Sequence, residues 1–378
     1  MMFLFWGVKS KSNNKNIIAM TTRSKENSFK GKNIYVGIDV HLKSWTATVL
    51  SDTLTLKTFR LDPSPEVLCA HLFNNYPEAN YFSVYEAGFS GYSVHRRLCE
   101  MGVKNIVVNP ADVPTTNKEK LRKTDSSDSA KLARSLRAGE IKPIYVPDTI
   151  SQELRSLSRH LQAITKDKTR IKNRIKGHLR FLGIEIPQRF LRSANWSYDF
   201  IDWLKRVCTD TPYGKFVLDS HIRQLEEIRD KKLNLLRYMR AIAKEEPLAT
   251  RVKLLLSVPG IGEVTSLRIA SEVIDIKRFN GHDQLAAFIG IVPMCHKSGD
   301  DTKEDNGGIT TRANRTLRSA IIEAAWIAAG KDPALTLAFE NYCKRMKKTD
   351  AIVRIARKIV NRIYFVLKHE MPYVPSTY

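Results

Sequence analysis

The stretch Asn33–Val40, NIYVGIDV, is apolar and β-branched and carries one acid, Asp39, near its end. Two further stretches, Ser44–Leu50 and Leu54–Leu61, alternate apolar and polar residues and are separated by short polar segments. Alternation with a period of two is typical of strands that bury one face. The sequence therefore predicts three consecutive strands in a meander, with Asp39 on the first.

The next residues continue as alternating helices and strands. Ser64-Pro65-Glu66 predicts a helix start with Ser64 as N-cap, because proline is well suited to the first helical turn. The later predicted elements are a strand at Tyr81–Tyr85, a helix at Tyr92–Met101, a strand at Asn105–Val108 and a helix from about Asp128. This order is that of an RNase H-like α/β fold with mixed strand directions.

Four carboxylates fall at matching points of this predicted fold. Asp39 lies in the first strand and Glu86 directly follows the fourth. Asp125 and Asp128 are three residues apart at a helix start, so both can face the same side. Ligands collect where strands end in open α/β sheets, and hard divalent cations prefer oxygen ligands. The sequence predicts a site for two Mg²⁺ ions and phosphodiester chemistry on nucleic acid.

Each acid also has an ordinary structural explanation. An Asp at a helix start is usually an N-cap, and Asp125 with Asp128 resembles a capping box. Glu86 could be a solvated acid at a strand end. Only the combination of four acids at matching points favours a metal site.

Composition limits the class of protein. The chain has 378 residues, enough for two or three domains, and 62 Lys+Arg against 39 Asp+Glu give a net charge of +23. Such an excess predicts attraction to polyanions, although a merely basic, soluble surface would look the same. The five cysteines are scattered, which indicates a reducing cytoplasm and neither a zinc site nor a disulfide framework.

The N-terminal residues form a predicted extension outside the folded domains. Residues 1–8, MMFLFWGV, are apolar but too few for a membrane span, and they lack the features of a signal peptide. Residues 9–32 are rich in Lys, Asn, Ser and Thr, a composition that predicts disorder. We expect no membrane association, and Met20 is an alternative start.

A long basic helix is predicted after a linker at Ile144–Pro147. It covers Ser151–Leu182, and its charges surround it instead of forming one stripe, which suits either nucleic-acid binding or a strut. The candidate nucleic-acid-binding residues are Lys166, Lys168, Arg170, Lys172, Arg174, Lys176 and Arg180. A second helix at His221–Glu245 has apolar residues at helical spacing, so the two helices could pair as an antiparallel coiled coil.

The C-terminal region contains two turn motifs. Pro259-Gly260-Ile261-Gly262, within Leu254–Val273, resembles a helix-hairpin-helix turn whose Gly260 and Gly262 backbone could bind a phosphate, or it is an ordinary helix corner. Ser298-Gly299 lies in a polar loop between Gln284–Val292 and a predicted helix at Thr311–Ala329. From spacing alone, Ser298 is more typical of turn chemistry than of catalysis.

Motifs along residues 33–370 resemble the DEDD transposases of insertion-sequence family 110. In the N-terminal half they are Tyr35-Val36-Gly37-Ile38-Asp39-Val40-His41, Tyr85-Glu86-Ala87-Gly88, Asn109-Pro110 and Lys123-Thr124-Asp125-Ser126-Ser127-Asp128-Ser129-Ala130-Lys131-Leu132-Ala133. In the C-terminal half they are Pro259-Gly260-Ile261-Gly262, Leu285-Ala286-Ala287-Phe288-Ile289-Gly290, Pro293, Ser298-Gly299, Ile309-Thr310, Asn314 and Leu317-Arg318. One local difference is Ser126-Ser127, where this family often has basic residues.

The resemblance implies a recombinase with four segments. They are an N-terminal extension (1–32), a RuvC-like DEDD domain (33–148), a helical coiled-coil connector (149–248) and a mainly α-helical transposase domain (249–378). It implies that Ser298 is a nucleophile and that Asp39, Glu86, Asp125 and Asp128 bind Mg²⁺. We further expect Lys297 and Arg318 to contact nucleic acid.

The resemblance also implies partners. Family members act on donor and target DNA as homo-oligomers, here a dimer or tetramer, in which the acids of one protomer join the serine of another. At least some are guided by a structured RNA, and we expect a bacterial, nucleoid-associated protein. Two other classes stay open, namely a Holliday-junction resolvase that hydrolyses DNA with water and a non-enzymatic nucleic-acid-binding protein.

Overall fold

Residues 29–117, 119, 124–191, 196–296 and 305–375 are described by the structure, a computed structural model. The chain divides into two units, Met1–Val146 and Pro147–Tyr378. The division falls within the predicted linker Ile144–Pro147. Whether residues 149–248 form a connector separate from 249–378 stays a prediction.

The first unit is built on a five-stranded mixed sheet with the strand order β3-β2-β1-β4-β5. Its strands are β1 (Asn33–Val40), β2 (Trp45–Leu50), β3 (Thr55–Leu61), β4 (Asn80–Glu86) and β5 (Lys104–Val108). Strand β1 is antiparallel to β2 and parallel to β4, and β5 is parallel to β4. The predicted three-strand meander and the predicted mixture of strand directions are confirmed, and the sheet is compatible with an RNase H-like fold.

Three helices connect and cover these strands. They are α1 (Pro65–Asn75), α2 (Ser93–Glu100) and α3 (Asp125–Arg137). Ser64 is the N-cap of α1 as predicted, since its side chain accepts from the backbone N–H groups of Glu66 and Val67. Helix α3 begins three residues before the predicted start, because Thr124 caps it.

Helix α3 lies unusually close to strand β1. A Cβ atom at Gly37 would come within 2.0 Å of the Ser129 carbonyl oxygen and 2.4 Å of the Ala133 nitrogen. A buried hydrogen bond of 2.9 Å joins the Ser129 hydroxyl to that of Thr48 on β2. Glycine at this position therefore allows the start of α3 to lie beside the strand that carries Asp39.

The second unit is mostly helical. Its helices are α4 (Thr149–Phe181), α5 (Gln188–Leu191), α6 (Tyr198–Arg206), α7 (Pro212–Ile242), α8 (Leu248–Leu256), α9 (Glu263–Val273), α10 (His282–Ile289), α11 (Arg315–Ala328), α12 (Pro333–Cys343) and α13 (Lys348–His369). A hairpin of β6 (Pro293–His296) and β7 (Asp305–Ile309) lies between α10 and α11.

Two helix boundaries in this unit differ from the prediction for identifiable reasons. Helix α7 begins nine residues before His221, because Pro212 occupies its first turn and Leu218 is buried in the core. Helix α11 begins four residues after Thr311, because the Asn314 side chain caps it. Residues 187–215, between the two predicted helices, contain α5, α6 and the start of α7.

Helices α4 and α7 pack against each other in antiparallel order. The His178 side chain of α4 lies 2.9 Å from the Gly214 carbonyl oxygen at the start of α7, whereas Leu161 and Met239 share a core at the opposite ends. The core near the first of these contacts contains Ile171, Ile175, Leu179, Leu218, Ile222 and Leu225. Among the described residues, no helix is long and apolar enough to cross a membrane.

Candidate active site

The four predicted acids line one cleft of about 370 Å³ in the first unit. Asp39 lies on β1, and Glu86 is the last residue of the neighbouring parallel strand β4. Asp125 is the first residue of α3, and Asp128 lies one turn further along. Strands β1 and β4 and the start of α3 thus bring together carboxylates that are up to 89 residues apart in the sequence (128 − 39 = 89).

The N-cap interpretation of the acids on α3 is wrong. Thr124 is the cap, since its hydroxyl accepts from the Ser127 N–H at 3.2 Å. The Asp125 and Asp128 carboxylates are in the first turn, where the helix dipole favours negative charge. Because Thr124 provides the cap, both carboxylates can face the cleft.

His41 joins two of the acids at the rim of the cleft. Its Nε2 atom lies 3.1 Å from Asp39 Oδ2 and 3.8 Å from Asp125 Oδ1. One possible ligand atom from each of the three residues lies within 4.8 Å of the others. Burial, opposed by His41 and reinforced by Asp125 and Asp128, raises the pKa of Asp39. Such clustered oxygen and imidazole donors fit a divalent cation.

Lys131 contacts the other two acids. Its Nζ atom lies 3.2 Å from Asp128 Oδ1 and 3.9 Å from Glu86 Oε1, and its side chain is 11% exposed. Glu86 and Asp128 are thus paired through an ammonium group, whereas Asp39 and Asp125 are paired through an imidazole.

Neither His41 nor Lys131 was identified as a site residue from the sequence. Both had a local signal. His41 follows Asp39 by two residues, so on a continuing strand both side chains would face the same side of the sheet. Lys131 follows Asp128 by three residues on a helix, the spacing of an ion pair.

The candidate nucleophile Ser298 and its neighbour Lys297 lie outside the described residues. The backbone on both sides is described and forms the antiparallel strands β6 and β7. Their roles therefore stay predictions.

Residues at the base of this hairpin are held by half-buried polar contacts. The Arg318 guanidinium donates through one nitrogen to the carbonyl oxygens of Thr310, at 2.6 Å, and Gly290, at 3.3 Å. The Asn314 side chain caps α11 and also donates to the Glu272 carboxylate at 3.0 Å. These contacts give Asn314 and Arg318 a structural role, and contact of Arg318 with nucleic acid stays a prediction.

Glu272 is a buried charge that sequence reasoning missed. Its side chain is 1% exposed and lies 2.8 Å from Arg159 and 3.4 Å from Arg155, both on α4. These ion pairs connect α4 and α9 to the cap of α11. Removing one partner of such a buried pair is usually strongly destabilising.

Two sequence models of known families match the chain. The model of a DEDD transposase domain of IS110, described as "Transposase", matches residues 36–184, which include all four acids. The model of the Transposase IS116/IS110/IS902 family matches residues 252–339. The chain belongs to the IS110 family of DEDD transposases.

Individual relatives agree with this family. A protein of Sinorhizobium fredii (y4qE) is 28% identical over 64% of this chain and 57% of its own length. The transposase for insertion sequence element IS1111A of Coxiella burnetii is 29% identical over 61% of each chain. The pilin gene-inverting protein of Moraxella bovis is 30% identical over 32% of this chain and 38% of its own. The aligned regions thus span less than two thirds of these relatives.

The glycine turn of this IS110-family chain has a clear packing role. Gly260 has a φ of +84°, and a Cβ there would lie 2.2 Å from the Ala324 carbonyl oxygen of α11. Gly262 is the N-cap of α9 and has open space around it, but Glu263 in the first turn pairs with Arg240 at 2.7 Å. The helix-corner interpretation thus accounts for Gly260, and phosphate binding at Gly262 stays a prediction.

The basic residues of α4 are not equally exposed. Four of the candidates are exposed, namely Lys166, Arg170, Arg174 and Arg180, and three are half-buried, namely Lys168, Lys172 and Lys176. The expectation of positive charge on all sides of the helix is wrong, because Ile164, Ile171 and Ile175 form a buried apolar face.

The half-buried lysines form a cation cluster with α7. Burial, with repulsion from Lys168, Arg229, Lys176 and Lys232, lowers the pKa of Lys172 to about 8. Burial, Lys232 and Arg229 also lower the pKa of Lys168. The Lys172 and Lys176 ammonium groups lie 4.9 Å and 5.8 Å from the centre of the Trp196 ring. Like charges gathered in this way favour an anionic partner.

Proposed function

We propose that this protein is the transposase of an insertion sequence and catalyses Mg²⁺-dependent DNA cleavage and strand exchange. The observation that carries the proposal is the cleft in which Asp39, Glu86, Asp125 and Asp128 meet. The cleft lies within the residues that match the DEDD transposase model. The relative that inverts a pilin gene supports a recombination reaction on DNA. We further propose that the protein acts in the bacterial cytoplasm, in association with the nucleoid.

The acidic cleft is the proposed metal site, with two Mg²⁺ ions as the sequence-based expectation. The carboxylates of Asp39, Glu86, Asp125 and Asp128 would hold the metal. When bound, Mg²⁺ supplies positive charge that polarises the phosphate and stabilises the charge that develops on its oxygens. The acids themselves orient the site, which lies where the central strands β1 and β4 end.

Ser298 is the proposed nucleophile. Its Oγ atom forms a bond to phosphorus while the bond from phosphorus to a sugar oxygen breaks, and overall the hydroxyl proton passes to the departing oxygen. The serine ester conserves the phosphodiester energy, so the reverse attack by a different DNA end rejoins strands without a nucleotide cofactor. Lys297 would stabilise the phosphate. We propose that Ser298 joins the acids of another protomer in a homodimer or homotetramer.

The helical segments are the proposed nucleic-acid-binding parts. Helices α4 and α7 would act as a coiled-coil connector, and their cations would contact the donor duplex or a structured guide RNA. The Gly260–Gly262 corner would act as a helix-hairpin-helix element, with Gly262 nearest a phosphate. The lysine cluster around Trp196 supports the first of these assignments.

The metal assignment is tested by substituting single acids. Asp39→Asn and Asp125→Asn should each lower Mg²⁺-dependent strand exchange by about 100-fold or more, because each removes a charged ligand without much change in volume. Asp62→Asn is the matched control, since Asp62 is exposed in the same unit and outside the cleft. Exchange is measured with supercoiled donor and target DNA and the RNA that copurifies. Normal exchange by either cleft variant would refute the metal site.

A further inference from the structure

We infer that Lys131 is a positioning residue of the acidic cleft, whose ammonium group holds Glu86 and Asp128 side by side so that both can bind a divalent cation. This inference rests on the proposed function, because it concerns the ligands of the same metal. It adds a residue that contacts two of the proposed ligands but does not line their cleft.

The Lys131 ammonium group lies between the two carboxylates. It is 3.2 Å from Asp128 Oδ1 and 3.9 Å from Glu86 Oε1, and these acids come from a helix and a strand. Two carboxylates that share one site repel each other, which favours separation of their side chains. An ammonium group that pairs with both keeps them adjacent.

Lys131 contacts the acids without lining their cleft. Among the described residues, those that line the acidic cleft include all four acids but not Lys131. Lys131 instead lines another cleft together with Glu119 and Arg134, and its side chain is only 11% exposed. Its ammonium group therefore pairs with Glu86 and Asp128 from outside the space that a cation would fill.

His41 occupies a different position relative to its two acids. It lines the acidic cleft itself, its side chain is 53% exposed, and it contacts Asp39 and Asp125 at the rim. An entering cation would meet His41 directly, as a ligand or as a group to be moved. Lys131 lies outside that space, so its contacts with Glu86 and Asp128 can persist when the cleft is filled.

Two roles for Lys131 predict opposite changes in metal affinity. A lysine that competes with the metal lowers its affinity, so removing the charge would tighten binding. A lysine that positions ligands raises metal affinity, and loss of such outer-shell partners typically weakens binding by about 10- to 100-fold. The structure favours the second role because Lys131 is absent from the lining of the cleft.

The experiment is a titration of the full-length protein with Mn²⁺. Binding is measured by calorimetry and, separately, by the electron paramagnetic resonance signal of free Mn²⁺. The variants are Lys131→Met, Lys131→Arg and the control Arg134→Met, which removes one charge from the same helix at a side chain that is 52% exposed. We expect the Mn²⁺ dissociation constant to rise about 10- to 100-fold in Lys131→Met and to change little in Arg134→Met. Lys131→Arg should restore most of the affinity.

Equal or tighter Mn²⁺ binding by Lys131→Met than by the unaltered protein overturns the inference alone. No saturable binding by the unaltered protein overturns the proposed metal site and the inference with it. Thermal melting checks that each variant folds, and Lys131→Gln replaces Lys131→Met if the latter does not. If Lys131→Met unfolds and Lys131→Arg folds but does not bind Mn²⁺ with normal affinity, Lys131 has only a structural role. That result also overturns the inference.

Discussion

Gly37 decides how the acids of the cleft come together. Strand β1 and helix α3 approach so closely that Gly37 faces the backbone at Ser129 and Ala133. Asp39 follows two residues later on the strand, and Asp125 and Asp128 are in the first turn of the helix. The separation of these carboxylates is therefore set by a backbone contact, not by the acids themselves.

Gly37→Ala should destabilise the first unit by about 3 kcal/mol, because backbone atoms of α3 cannot yield to a Cβ as a flexible side chain can. The measurement is urea unfolding of the full chain. Gly88→Ala is the control, since the nearest atom to a Cβ there is 3.9 Å away and the glycine belongs to the same unit. Equal stability of both variants would contradict the close approach of α3 and β1.

The sequence allowed the four acids to be identified but not their partners. Asp39, Glu86, Asp125 and Asp128 stand at strand and helix ends, which local patterns can locate. His41 and Lys131 act through contacts whose distances depend on packing, and so does Glu272, whose partners Arg155 and Arg159 are more than 110 residues away (272 − 159 = 113). The acid positions were predictable because they follow the order of elements, and the ion pairs were not because they follow tertiary structure.

The antiparallel pair of α4 and α7 is the clearest feature at the scale of elements. An apolar seam holds the helices together, and the cations beside the seam, Lys168, Lys172 and Arg229, are close enough to repel one another. Sequence periodicity predicted both helices, but it placed the charges of α4 on all sides of that helix. Only the pairing shows which lysines face a neighbouring helix and which face solvent.

Neutralising Lys168, Lys172 and Lys176 together with Gln should weaken nucleic-acid binding and reduce the slope of log K against log salt by about 2 to 3, as expected for three lost phosphate contacts. The control replaces Lys205, Lys215 and Arg240, which are each already paired with a carboxylate. Binding to donor DNA and to the copurifying RNA is measured by filter retention at several salt concentrations. An unchanged slope in the lysine variant would show that these lysines do not contact phosphates and would favour the interpretation of α4 as a strut.

The lowered pKa of Lys172 has a consequence for stability. The pKa of Lys172 is lowered to about 8 in the folded protein, whereas the pKa of a lysine in the unfolded chain is about 10.4. The unfolded chain binds more protons between these values, so the contribution of Lys172 to stability rises with pH in that window. The free energy of unfolding is measured with urea for the unaltered protein and for Lys172→Met. The difference, unaltered protein minus variant, should increase from about pH 8 to about pH 10. A difference that is independent of pH would contradict the half-buried cation cluster.

At the scale of the whole molecule, the residues proposed to take part in the reaction belong to two different units. The acids belong to Met1–Val146, and Ser298 falls within the sequence range of the second unit, Pro147–Tyr378. Patterns of strands and acids were sufficient to predict the first unit. The second unit was harder to predict from sequence. Its helix corners depend on glycines such as Gly260, which packs against a helix that is distant in the sequence. The role of Ser298 came from resemblance, since its local sequence is that of an ordinary turn.

The most direct test of the account is a search for a covalent protein–DNA adduct at Ser298. Radiolabelled donor DNA is incubated with Mg²⁺, the full-length protein and the copurifying RNA, the reaction is stopped with detergent, and labelled protein is identified by electrophoresis and peptide mapping. We expect an adduct at Ser298 in the unaltered protein, and neither adduct nor strand exchange in Ser298→Ala, which should keep its metal binding and assembly. DNA cleavage by Ser298→Ala at the normal rate, with no adduct in either protein, would instead show a nuclease that uses water and would contradict the proposed recombinase.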